Sequence, residues 1–112
     1  MITLKSLIDM KDLKLLTALP DPTKEVTGGI CCDLLSWVMA RGQPGMAWIT
    51  VQTHMNVAAV ASLHELSCII VAEGCAMPLE VLKKSEEEGI AVFSSSLSEY
   101  KLCGLLHEAG VK

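Results

Sequence analysis

The run Gln52-Thr53-His54-Met55-Asn56, with Thr50 just before it, gathers the polar residue types that most readily hold a ligand. Hydroxyls and amides donate to phosphate or carboxylate, and the imidazole of His54 changes charge near neutral pH, so it can bond an anion or orient its own loop. A second group, Thr27-Gly28-Gly29, sets one hydroxyl beside two residues without Cβ, where φ > 0 or close approach by another group becomes available. The glycine pair reads as a sharp turn, serving either tight backbone packing or binding. Glu73-Gly74 and Ser94-Ser95-Ser96 complete the set. Each has a plainer reading as well, because Thr, Ser and Asn cap helix starts whether or not anything binds.

Catalytic constellations are weak. The chain has no G-x-x-x-x-G-K-[ST] phosphate loop, no G-x-S-x-G nucleophile elbow and no H-E-x-x-H pair. Glu86-Glu87-Glu88 spreads around a helix circumference and reads as a solvated helix end. His64 and His107 fall within amphipathic segments as surface or boundary residues, and Trp37 and Trp48 read as packing residues. The five cysteines, Cys31, Cys32, Cys68, Cys75 and Cys103, are odd in number and lack a C-x-x-C or zinc spacing, so they read as reduced thiols. No metal or cofactor is implied. Two alternatives stay open: a small enzyme or phosphate-handling accessory using His54 with Thr27 and Thr50, and a redox or metal sensor using Cys31, Cys32 and Cys75.

The elements that must position these residues follow from pattern. With 112 residues, 51% of them hydrophobic and only 4% aromatic, the chain suits one domain, residues 1–112, whose core is aliphatic. A net charge of -4 without a basic cluster argues against nucleic acid. No apolar run is long enough to span a bilayer, and a cytoplasmic location follows by default. Leu4, Leu7 and Ile8 are spaced as on a short helix capped by Thr3. Strands are predicted at 14–19, 25–27, 46–51, 67–72 and 90–93, with a Pro20-Asp21-Pro22 turn after the first. Helices are predicted at 34–39 with Asp33 as cap, at 57–66, at 79–88 and from Ser96, with Glu99 completing a capping box, to about 109.

Strand and helix alternate through the last two-thirds of the chain, which predicts an α/β fold. The expected form is a single-domain layered sandwich with a mainly parallel central sheet of four to five strands flanked by helices. Ligands in such sheets gather at the carboxyl ends of strands. That rule makes Thr27, Gly28, Gly29, Thr50, Gln52, Thr53, His54 and Asn56 the candidate ligand or interface residues along one edge.

Val26-Thr27-Gly28-Gly29, then Asp33-Leu34-Leu35-Ser36, then Trp48-Ile49-Thr50-Val51-Gln52-Thr53-His54-Met55-Asn56-Val57 resembles the DRTGG domain over almost the whole chain. Glu25 and Val26 stand where that motif has Asp and Arg. The resemblance implies a small α/β module, found alone or fused to phosphotransacetylases and CBS-containing pyrophosphatases, and similar to the N-terminal domain of HPr kinase/phosphorylase. It implies a regulatory, dimerising domain and not a catalytic one. Stand-alone relatives accompany hydrogenases and electron-transfer proteins of anaerobes. The expectation is therefore a non-enzymatic homodimer that binds a partner protein of that context or a small anionic effector such as an adenine nucleotide.

Overall fold

Strands β3 (Met46–Thr50), β4 (Cys68–Val71) and β5 (Ala91–Ser94) are apolar at nearly every position. A strand of that kind is stable only when both faces are covered. Successive side chains point to opposite faces, so Ala47, Ile49, Cys68, Ile70, Ala91 and Phe93 enter one core, while Trp48, Ile69, Val71 and Val92 enter another. Trp48 and Phe93 are fully buried, each contributing roughly 1.5–3 kcal/mol or more of hydrophobic stabilisation. The computed structural model describes residues 1–18 and 21–112.

With β1 (Lys14–Leu15) and β2 (Gly28–Cys31), the sheet has five strands in the order β1-β5-β4-β3-β2. Strands β2 to β5 are parallel neighbours, and β1 pairs antiparallel with β5, Lys14 opposite Ser94. Each crossover steps to the next strand in the same direction, and crossovers of one hand put their helices on one face. Helices α2 (Leu35–Arg41), α3 (Asn56–Leu63) and α4 (Leu79–Glu87) lie over the Trp48 side. Helices α1 (Leu4–Ile8) and α5 (Glu99–Ala109) cover the Phe93 side through Leu4, Leu7, Leu102 and Leu106. The layered α/β sandwich predicted from the alternation is the fold observed. Among the described residues, no helix is long and apolar enough to cross a membrane.

Several local expectations change. Thr3 does cap α1, in a capping box with Ser6. The strand expected at 14–19 is only two residues long as observed, and its far end, like part of the Pro20-Asp21-Pro22 turn, lies outside the described residues. Gly28 and Gly29 do not form a turn: they are extended residues of β2, in register with Met46 and Ala47. Ladder bonding to β3 holds them straight, and the positive-φ glycines are Gly45, Gly74, Gly89 and Gly110. Residues 25–27 instead pair with the N-terminal segment, through a Glu25–Thr3 bridge and the Val26 N–H to the Ile2 carbonyl at 2.8 Å. Asp33 does not cap α2, because its carboxylate is committed elsewhere. Ser98, not Ser96, caps α5, its hydroxyl accepting from the Lys101 N–H at 3.2 Å.

Candidate functional site

At the carboxyl ends of the strands, Asp33 ties the β2 and β3 loops together. Its Oδ1 accepts from the Thr50 hydroxyl and from the Val51 N–H, both at 2.8 Å. Gln52 returns the link, its Nε2 donating to the Asp33 carbonyl at 2.9 Å and its N–H to Thr50 Oγ1 at 3.0 Å. The buried indole of Trp48 donates to the Cys32 carbonyl at 2.8 Å, pinning the same loop from below. Thr50 is fully buried. Its hydroxyl and the Gln52 side chain thus hold this rim together, while Thr53, His54 and Asn56 lie at its outer part. His54 Nδ1 accepts from the Asn56 N–H at 3.1 Å at the start of α3, leaving Nε2 facing outward.

This rim is acidic. Burial pushes the Glu99 carboxyl up from its ordinary value, and the nearby charges of Asp33 and Glu73 push it the same way, against the hydrogen bond from Cys31. The Cys31 thiol donates to Glu99 Oε2 at 3.5 Å and is itself held strongly protonated by burial, by Cys103 and by Glu99. Cys68 is buried, which pushes its thiol up to about 12. All five cysteines are free, and among the described residues no group of three or more His, Cys, Asp or Glu side chains is arranged to hold a metal.

The structure brings Thr50, Gln52, Thr53, His54 and Asn56 together but leaves Thr27, Gly28 and Gly29 at the other end. Gly28 starts β2 opposite Met46, which starts β3, so it sits about 13 Å down the sheet from the level of Thr50. The expectation that all eight share one edge is therefore corrected: β2 runs on through Ile30 and Cys31 before it reaches the carboxyl rim. Thr27 instead packs on the turn before β3, where its Oγ1 donates to the Pro44 carbonyl at 3.3 Å and its N–H to the Gly45 carbonyl at 3.0 Å. Sequence reasoning missed Asp33 as the rim's organiser. The apolar Ile30-Cys31-Cys32 continuation past the glycines was the signal that the strand ended later.

A separate feature is the flank beyond β2. This strand ends the sheet with one side unpaired. The Cys32 N–H donates inward to the Ile49 carbonyl, so by strand alternation the N–H groups of Gly29 and Cys31 face outward. Beside this edge, α2 and the start and end of α3 expose Leu34 (60%), Trp37 (51%), Met39, Met55 and Leu63 (66%). A groove of about 330 Å³ runs between the two helices, lined by Leu35, Met39, Ala59, Val60 and Leu63. The Arg41 guanidinium lies over the Trp37 ring, 4.9 Å from its centre.

Together these features define a three-layer α/β module with a self-bonded polar rim and one unsealed flank. No protein-family model and no curated protein matches the sequence. Among solved structures, the CBS and DRTGG domains of the regulatory region of Clostridium perfringens pyrophosphatase, complexed with the activator diadenosine tetraphosphate, are similar with a TM-score of 0.72 and 14% identity. The match covers 93% of this chain and 45% of that one, so this chain spans less than half the length of its neighbour. At that identity the likeness is one of fold.

Proposed function

We propose that this chain is a non-catalytic regulatory module that acts by association: a homodimer formed across the open β2 edge and the adjoining α2–α3 surface. The unsealed flank carries this reading. Five of the eight large hydrophobic side chains exposed among the described residues, Leu34, Trp37, Met39, Met55 and Leu63, belong to this helix pair and its immediate ends. Met39 and Leu63 line one groove, and an apolar groove and an unpaired strand edge are features that soluble proteins otherwise avoid presenting. Neither Gly28 nor Gly29 has positive φ, and a Cβ at either would meet only ordinary contacts, at 3.6 and 3.7 Å, so nothing inside one chain requires glycine there. Sedimentation equilibrium tests this: the chain sediments as a dimer at micromolar concentration, and Trp37→Glu shifts it to monomer while its circular dichroism is unchanged. A strict monomer at about 100 µM ends the reading, since interfaces of standard size bind more tightly than that.

The second half of the reading is a small anionic effector, an adenine nucleotide among them, bound at the carboxyl rim. Its motivation is the position of the polar loops, together with the shared fold of a regulatory region that binds a dinucleotide. Thermal-shift measurements with ADP and with inorganic phosphate check it, because a ligand of the native state raises stability with its concentration. On the α3 side of that rim His54 and Asn56 are exposed and Thr53 is half-buried, which leaves them open to such a ligand.

A further inference from the structure

The two ends of the carboxyl rim differ in charge, and the difference locates the effector. At the β2–β3 end Asp33 lies beside Glu99, and with Glu73 of the β4 loop also acting on Glu99 this part of the rim disfavours a second negative charge. At the other end, beyond β5, a concavity of about 230 Å³ is lined by Lys11, Lys14, Asp12, Gly74, Cys75 and the serines 94–96. Resting on the effector reading above, we propose that this concavity is a phosphoryl site, with Lys11 and Lys14 as the charge partners and the hydroxyls of Ser94 and Ser96 as donors.

Three observations meet here. Lys14 lies directly opposite Ser94 in the antiparallel β1–β5 pair, which puts their side chains on the same face as cross-strand neighbours. Neither Lys11 nor Lys14 has a carboxylate partner among the described residues, where the ion pairs are Lys5–Asp9 and Lys84–Glu88. Asp12 also lines the concavity, so the three charged side chains that line it sum to one positive in a chain whose net charge is -4, with Glu73 next to Gly74 in the chain but not among the lining residues. The floor is preorganised as well. The Gly74 N–H donates to the Ser95 carbonyl and the Glu73 N–H to the Leu97 carbonyl, both at 2.9 Å, stitching the β4 and β5 loops to each other. Ser95 is buried and accepts from the Leu97 N–H at 3.1 Å, so Ser95 shapes the floor while Ser94 and Ser96 face the space. A point charge on a flexible stem suits a phosphoryl oxygen, and the volume admits a phosphoryl group with a few attached atoms and not a whole dinucleotide. The ligand class is thus a small phosphorylated metabolite, or a nucleotide that inserts its terminal phosphate.

The test is calorimetric titration of the full chain with inorganic phosphate and with ADP, comparing the parent with Lys11→Gln/Lys14→Gln and with Lys83→Gln/Lys101→Gln as a charge-matched control. The site predicts that affinity for both probes falls about tenfold or more in the first variant and holds in the control, as removal of charge-assisted hydrogen bonds requires. Equal loss in both variants means diffuse attraction only and overturns the site. Parent-like binding in Lys11→Gln/Lys14→Gln overturns the site while leaving an effector to be placed elsewhere. A parent chain that binds neither probe overturns the effector reading and the site with it.

Discussion

Removing the Asp33 side chain leaves the Thr50 hydroxyl and the Val51 N–H without their common acceptor in a largely buried corner. Asp33→Ala is expected to cost about 2–3 kcal/mol in urea unfolding, the scale of unsatisfied polar groups; a loss below half a kcal/mol would mean that water replaces the carboxylate freely. Gly45 is a second residue with a hard constraint. Its φ is +86°, and a methyl there would collide with the Thr27 hydroxyl, so Gly45→Ala should lose about 1–3 kcal/mol. Glu99 gives a pH signature. Its carboxyl titrates above the ordinary 4.5, so the folded state holds that proton more tightly than the unfolded chain. The associated stability is complete below the unfolded value and is lost as pH rises through the folded one. Glu99→Gln cannot lose a proton, and the stability difference between variant and parent should therefore move in the variant's favour from about pH 4 to about pH 7. A difference that moves the other way contradicts the crowded acidic rim. Residue types at this rim were legible in the sequence, but their tasks were not: Asp33 looks like a cap in one dimension, and only the β2–β3 register shows that Thr50 and Val51 are closer to it than the first N–H groups of α2.

The elements themselves were largely legible. Residues 46–51, 67–72 and 90–93 are almost wholly apolar, with Gly45, Gly74 and Gly89 at or near one end of each, and a chain so patterned has few choices other than buried parallel strands. What one dimension hid was where β2 starts. Glycine disfavours strand interiors by only about 0.5–1 kcal/mol, less than the ladder to β3 returns, so Gly28 and Gly29 extend where their type suggests a turn. The pairing of Lys14 with Ser94 was hidden for a different reason, since it joins the start of the chain to the end of the sheet. The β2 edge carries its own prediction. Gly29→Ala should stabilise the isolated monomer by about 0.5 kcal/mol and leave self-association unchanged, because the added methyl points to the α5 face beside Ala47 and not along the sheet plane into the open edge. Loss of monomer stability would show that the strand requires glycine there within one chain.

As a whole, the molecule is a sheet that ends at one side in the two-residue β1 and at the other in the longer β2, covered on both faces and asymmetric in charge along its carboxyl rim. The proposed association at the β2 side and the proposed phosphoryl site near β1 are at opposite ends of the sheet, so a dimer formed at β2 would leave the concavity beside Lys11 and Lys14 accessible. Hydrogen exchange at the Gly29 and Cys31 amides, followed as protein concentration rises from nanomolar to about 100 µM, addresses the association most directly. Those outward N–H groups should exchange freely in dilute solution and become protected as the chain dimerises, while the Ile30 amide stays protected throughout. Unchanged rapid exchange at both amides over the whole range would contradict the account.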